Sequence, residues 1–90
     1  MSQAIMDPQE VRNFAEELKR FNMDLQNRMT SIQARFMALG DTWQDQEREK
    51  FSSEFEQAIK ALHKFVDVSG QYAPYLLRKA QRIEDYLTQR

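Results

Sequence analysis

Leu39-Gly40-Asp41-Thr42-Trp43-Gln44-Asp45-Gln46-Glu47 divides the chain into two halves, and its reading decides the fold. Gly40 directly follows Leu39, the last residue of a long apolar repeat, and glycine ends helices in a left-handed conformation without steric cost. The chain is expected to reverse there. Asp41 and Asp45 are both suited to cap the free N–H groups of a following helix, Asp41 with Gln44 in the capping-box position, so the restart is bounded only to a few residues. Trp43 lies between the two candidate caps.

On the N-terminal side of the turn, Val11, Leu18, Leu25, Ile32 and Leu39 recur at strict seven-residue spacing. Phe14 and Phe21 fill the intervening position before Met29 and Phe36 take over one residue later. This is the pattern of an amphipathic helix of about nine turns. Arg28 and Arg35 fall where a narrow stripe would continue, so the stripe drifts sideways as a 3.6-residue period requires of a straight helix. Asp7-Pro8-Gln9-Glu10 marks its start: a capping Asp, Pro at the first helical position and Glu three residues after the cap.

On the C-terminal side, Phe55, Leu62, Ser69, Leu76 and Ile83 alternate with Phe51, Ala58, Phe65, Tyr72, Lys79 and Tyr86, flanked by Ile59, Val66, Ala73, Ala80 and Leu87. Pro74 lies inside this repeat, and its ring would clash with the carbonyl of Gly70. A kink is favoured over a break, because the repeat keeps its phase from Phe65 to Leu76 and Ala73 is a weak cap for a third helix. The expected architecture is all-α: one antiparallel two-helix hairpin over 1–90, with helix one at about 8–39, a turn at about 40–45 and helix two at about 46–88, kinked near Gly70 to Pro74.

Two helices packed only on each other leave most of each stripe in water, and a chain of this size buries too little surface that way to offset its conformational entropy. Helix two is apolar on both flanks of its middle, with Ala61, Val68 and Tyr75 on one side and Ile59, Val66 and Ala73 on the other. A stripe this wide suits a helix with two neighbours, so the hairpin is expected to pair into a four-helix bundle. The residues expected at that partner contact are Leu18, Phe21, Leu25, Phe55, Ile59, Leu62, Phe65, Val66, Tyr72 and Leu76. Acidic residues gather from Asp41 to Glu56 and basic ones from Lys60 onward, matching the macrodipole of the second helix. Glu16 with Arg20 and Glu56 with Lys60 are spaced as solvated ion pairs.

Thirteen Lys and Arg against fourteen Asp and Glu leave no excess positive charge for nucleic acid. There is no cysteine, His63 is the only histidine and the only glycines are Gly40 and Gly70, so the chain cannot by itself assemble a thiol or histidine triad, a multi-histidine metal site or a phosphate loop. No enzyme activity, metal or cofactor is expected. The longest apolar run is Ala73 to Leu77, too short to span a membrane, and Met1 to Asp7 lacks the features of a cleavable signal peptide. If exported, the chain is expected to be recognised by something else.

With its central Trp43 turn, the Phe51 eight residues later and two amphipathic halves, the chain resembles the Trp-Xaa-Gly (WXG) family of small proteins exported by type VII secretion systems, which includes the early secreted antigenic target of mycobacteria. The resemblance implies a homo- or heterodimer of helical hairpins, secreted without a signal peptide or held in the cytoplasm, with a secretion ATPase as a further partner. Trp43 matches the motif tryptophan and Phe51 the aromatic of the second helix, while Asp45 stands where the motif has glycine. Many members of the family it resembles, or their dimer partners, carry a C-terminal export signal in which a tyrosine is followed four residues later by an acid. Here Tyr72 leads to Leu76, Tyr75 to Lys79 and Tyr86 to Arg90.

Overall fold

The computed structural model describes residues 6–88; Met1 to Ile5 and Gln89 to Arg90, which closes the Tyr86 spacing, lie outside the described residues. Two helices, α1 (Pro8–Leu39) and α2 (Gln46–Thr88), run antiparallel as a hairpin. Asp7 starts α1 with extended backbone, and its side chain accepts a hydrogen bond from the Gln9 N–H at 2.9 Å while Pro8 occupies the first turn. Helix α2 continues through Pro74 without interruption, so no third helix begins there.

Gly40 corrects one expectation. Its backbone is right-handed, at φ −58° and ψ −21°, and no described residue has positive φ. What favours glycine is room: a Cβ at position 40 would sit 3.1 Å from the Met37 carbonyl and 3.1 Å from Nη2 of Arg48, which folds back beneath the turn. The reversal is held instead by stacked backbone bonds, Thr42 and Trp43 N–H both donating to the Leu39 carbonyl at 3.0 and 2.7 Å. The side chain of Gln44 donates to the Gly40 carbonyl at 2.7 Å.

The contact between the helices is narrow and built largely from small side chains. On α1 it buries Ala15, Asn22 and Met29; on α2 it buries Ile59, Val66, Ser69, Ala73 and Ala80. Ala15, Ala73 and Ala80 are at most 1% exposed, which places the helix backbones close together along the half of the hairpin nearer its termini. Towards the turn the seam widens around Met29, Ile59 and Val66, with Leu25 and Phe55 packed against them. At its middle, Asn22 Nδ2 donates to Ser69 Oγ at 2.7 Å and Ser69 Oγ donates to the Phe65 carbonyl at 2.7 Å, while Asn22 Oδ1 is buried without a partner.

The result is a rod of 68 × 25 × 15 Å with a radius of gyration of 20.1 Å, against about 12 Å for a compact chain of this length. It exposes 7469 Å², whereas a compact monomer of its 10.8 kDa mass exposes roughly 5500 Å². Surface charges pair locally, though not all as expected: Arg20 bonds Glu17 at 2.9 Å and not Glu16, Arg28 bonds Asp24 at 3.0 Å, and no Glu56–Lys60 pair forms among the described residues.

Two stability outcomes follow from the seam. Ala80→Leu adds volume where there is none and is expected to cost about 1–3 kcal/mol in a thermal or urea melt. Gly70 faces open space, so Gly70→Ala is expected to stabilise by about 0.5–1 kcal/mol, a gain that would vanish if another backbone needed that position.

Candidate partner interface

The strict heptads of both helices do not face each other. Val11, Leu18 and Leu25 are half-buried, whereas Phe14 is 57%, Phe21 53% and Phe65 45% exposed. On a helix, residues three and four apart share a face, so Phe14, Leu18, Phe21, Leu25 and Ile32 form one edge of a continuous apolar surface. Leu62, Phe65, Tyr72, Leu76 and Ile83 form the other edge. The Phe21 and Phe65 rings meet edge-on at 6.0 Å and bridge the two helices across this surface.

Two grooves run along it. One, near the termini, lies between Val11 and Phe14 of α1 and Leu76, Ile83 and Tyr86 of α2, with Asp7, Glu10 and Lys79 at its rim. The other, nearer the turn, lies between Leu25 and Ile32 and Phe55, Ala58 and Leu62, with Arg28 and Arg35 at its rim. The opposite side of the rod is polar and locked: Arg12 forms an ion pair with Glu84, its Nε reaching the second carboxylate oxygen at 3.4 Å and its Nη2 reaching Gln81 Oε1 at 3.2 Å. The hydrogen bond that Arg12 donates to Glu84 raises the Arg12 pKa above its ordinary high value, so the arginine is cationic across any working pH.

Of the ten residues expected at a partner contact, Ile59 and Val66 are 6% and 7% exposed and belong to the hairpin's own seam. Leu18, Leu25, Phe55 and Leu76 are half-buried on the open face, and Phe21, Leu62, Phe65 and Tyr72 project from it. Sequence reasoning missed the Asn22–Ser69 pair and the Arg12 cross-link. The seven-residue spacing of Ala15, Asn22 and Met29 carried a signal for the true seam, but small and polar residues are outweighed by the neighbouring Phe and Leu in any apolar count.

The turn brings Gly40, Trp43, Asp45 and Phe51 to one end of the rod. Trp43 is half-buried and tilts over Phe51 at 6.3 Å; Phe51 in turn meets Phe36 at 5.5 Å and Phe55 at 5.7 Å. The Arg48 guanidinium lies 4.8 Å from the Phe36 ring centre, a cation–π contact that ties the start of α2 to the end of α1. Asp45 is the cap of α2: its Oδ1 accepts from the Arg48 N–H at 3.0 Å. Asp41 makes no such bond among the described residues. The aspartate at the motif's glycine position thus occupies an N-cap, where Asp and Gly are both accepted and Asp is the stronger.

A hairpin of two long helices with a tryptophan turn and a broad uncovered apolar side defines a class of small helical-hairpin proteins. The chain belongs to the family described as proteins of 100 residues with WXG, which matches residues 3–86. It is a small helical protein of the type VII secretion family. Its fold is similar to that of a secreted protein, EsxB, from Bacillus anthracis str. Sterne. A selenomethionine-labelled form aligns with TM-score 0.73 at 20% identity, covering 96% of this chain and 98% of that one. A point-mutant form aligns with TM-score 0.72 at 20% identity, covering 93% and 97%. No curated protein gives a significant match. Among the described residues no helix is long and apolar enough to cross a membrane, and no three His, Cys, Asp or Glu residues cluster as metal ligands would.

The capping role of Asp45 has a sharp consequence. Asp45→Ala is expected to lower stability by about 1 kcal/mol, while Asp45→Gly, which restores the family motif, costs only a few tenths. Equal losses in a thermal melt would show that position 45 is not acting as a cap.

Proposed function

We propose that the chain acts as one half of a four-helix bundle in a type VII secretion pathway, pairing through its open apolar face with a second copy or a related hairpin. The carrying observation is the asymmetry of the rod: most of its exposed large apolar side chains project on one face, while Arg12, Gln81 and Glu84 link the helices on the other. Burying a single exposed Phe is worth about 1.5–3 kcal/mol, so several covered at once supply what the narrow seam does not. The pairing residues are Leu18, Phe21, Leu25, Phe55, Leu62, Phe65, Tyr72 and Leu76. Export proceeds without a cleavable signal peptide, and the exposed turn at Trp43 is offered to the secretion ATPase. Since neither Tyr72 nor Tyr75 is followed four residues later by an acid, a related partner supplies that signal where it is required. The same departure favours, as a second reading, an adaptor that stays in the cell and holds a helical partner.

Sedimentation over a dilution series tests pairing. The wild-type chain is expected at twice its monomer mass, and Phe65→Glu at the monomer mass with its helical circular dichroism retained; a wild-type monomer at every concentration removes self-pairing, and co-expression with candidate hairpins then tests a related partner. Trp43→Phe is expected to leave folding intact and to reduce ATPase-dependent appearance in culture supernatant. Unchanged export of Trp43→Phe would remove the docking role. Strict retention of the wild-type chain in cells with an active ATPase would favour the adaptor.

A further inference from the structure

The side of α2 turned away from α1 carries a pattern that neither the seam nor the open face uses. Lys64, Val68, Gln71, Tyr75, Arg78 and Arg82 follow one another at alternating steps of four and three, which on a helix draws a single line. Val68 is 43% and Tyr75 41% exposed, so the middle of the line is apolar and open to solvent. Tyr75, Arg78, Gln81 and Arg82 border a shallow depression at its far end. The Tyr72 ring stands edge-on to Tyr75 at 6.3 Å and limits where that ring can go.

Lys64, Arg78 and Arg82, like Lys19 and Arg35 of α1, have no carboxylate within 4 Å among the described residues. Asp67, the one acid between Lys64 and Arg82, lies beside the strip three residues from Lys64 and makes no ion pair with it. An uncompensated positive border around an apolar centre selects a partner of opposite charge and matching spacing.

We propose that this strip docks an acidic amphipathic helix of another protein, one that carries apolar residues at three-and-four spacing flanked by Glu or Asp. From Lys64 to Arg82 the strip is about 27 Å long, the length of about five helical turns, so a single helix covers it. A bilayer is the poorer fit, because an interfacial helix needs a broad apolar face and here only Val68 and Tyr75 supply one. The strip borders the pairing face at Tyr72, whose ring meets Tyr75, while Lys64, Arg78 and Arg82 are set further round the helix.

Fluorescence anisotropy with a labelled, designed helix of Leu and Ala at that spacing flanked by Glu tests the assignment. Binding is expected to weaken as salt rises, and to fall about tenfold or more in Arg78→Glu/Arg82→Glu and in Val68→Glu, with the sedimenting mass of each variant unchanged. The same peptide with Lys in place of Glu is expected not to bind. Three outcomes overturn the proposal: no difference between wild type and the variants, binding to phosphatidylserine vesicles without binding to the acidic peptide, or assembly beyond a pair that Val68→Glu abolishes, which would make a second copy the occupant.

Discussion

Two antiparallel helices in this protein touch along a line about one residue wide, and the small size of the residues on that line governs the rest of the molecule. Because Ala15 faces the helix that carries Ala73 and Ala80, the backbones approach closely over the half of the rod nearer its termini. Large side chains have no room in such a seam, so the Phe and Leu residues of both heptads are turned to one side. A wide seam filled with Phe and Leu would have made a self-sufficient hairpin with a polar exterior. The narrow one leaves much of the apolar surface of both helices open to solvent.

The polar features reinforce that asymmetry. The Asn22–Ser69 bond crosses the middle of the seam, where a slip of one heptad would bury Asn22 against aliphatic neighbours; the pair therefore fixes register at some cost, since Asn22 Oδ1 goes unsatisfied. Arg12 with Glu84 and Gln81 holds the helices together on the polar side near the termini. At the other end, Arg48 stacks on Phe36 and the Phe51 and Trp43 rings cover the turn. Register, open end and closed end are each set by specific contacts, and most of the apolar face beyond Leu25, Phe55 and the Phe21–Phe65 bridge stays open.

Much of the fold was legible because helix periodicity and caps are local. Asp7-Pro8 marks the first helix, the repeats on both sides of Trp43 carry the two rods, and the unbroken phase from Phe65 to Leu76 foretold that Pro74 would not end the second. What was not legible required knowing which neighbour each face meets. The heptad of Leu18 and Leu25 is the loudest signal in the sequence, yet the hairpin's own contact uses the quieter one of Ala15, Asn22 and Met29. Ile59 and Val66 were read as part of a partner surface, and they sit in the seam; a helix apolar on both flanks of its middle does not indicate which flank turns inward. Gly40 was expected for its backbone freedom and instead leaves space beside Arg48, a contact between residues eight apart that only the folded turn reveals.

The division of labour between seam and open face is open to one direct measurement. Methyl-resolved NMR on dilution reports the two sets of side chains separately: Leu18, Leu25, Leu62, Leu76 and Ile83 on the face, Ile59 and Val66 in the seam. The account predicts that the face methyls shift together as the chain is diluted through its pairing concentration while the Ile59 and Val66 signals stay in place. Joint movement of both sets, or movement of the seam methyls alone, would contradict it, because the hairpin would then not exist as a unit apart from its partner.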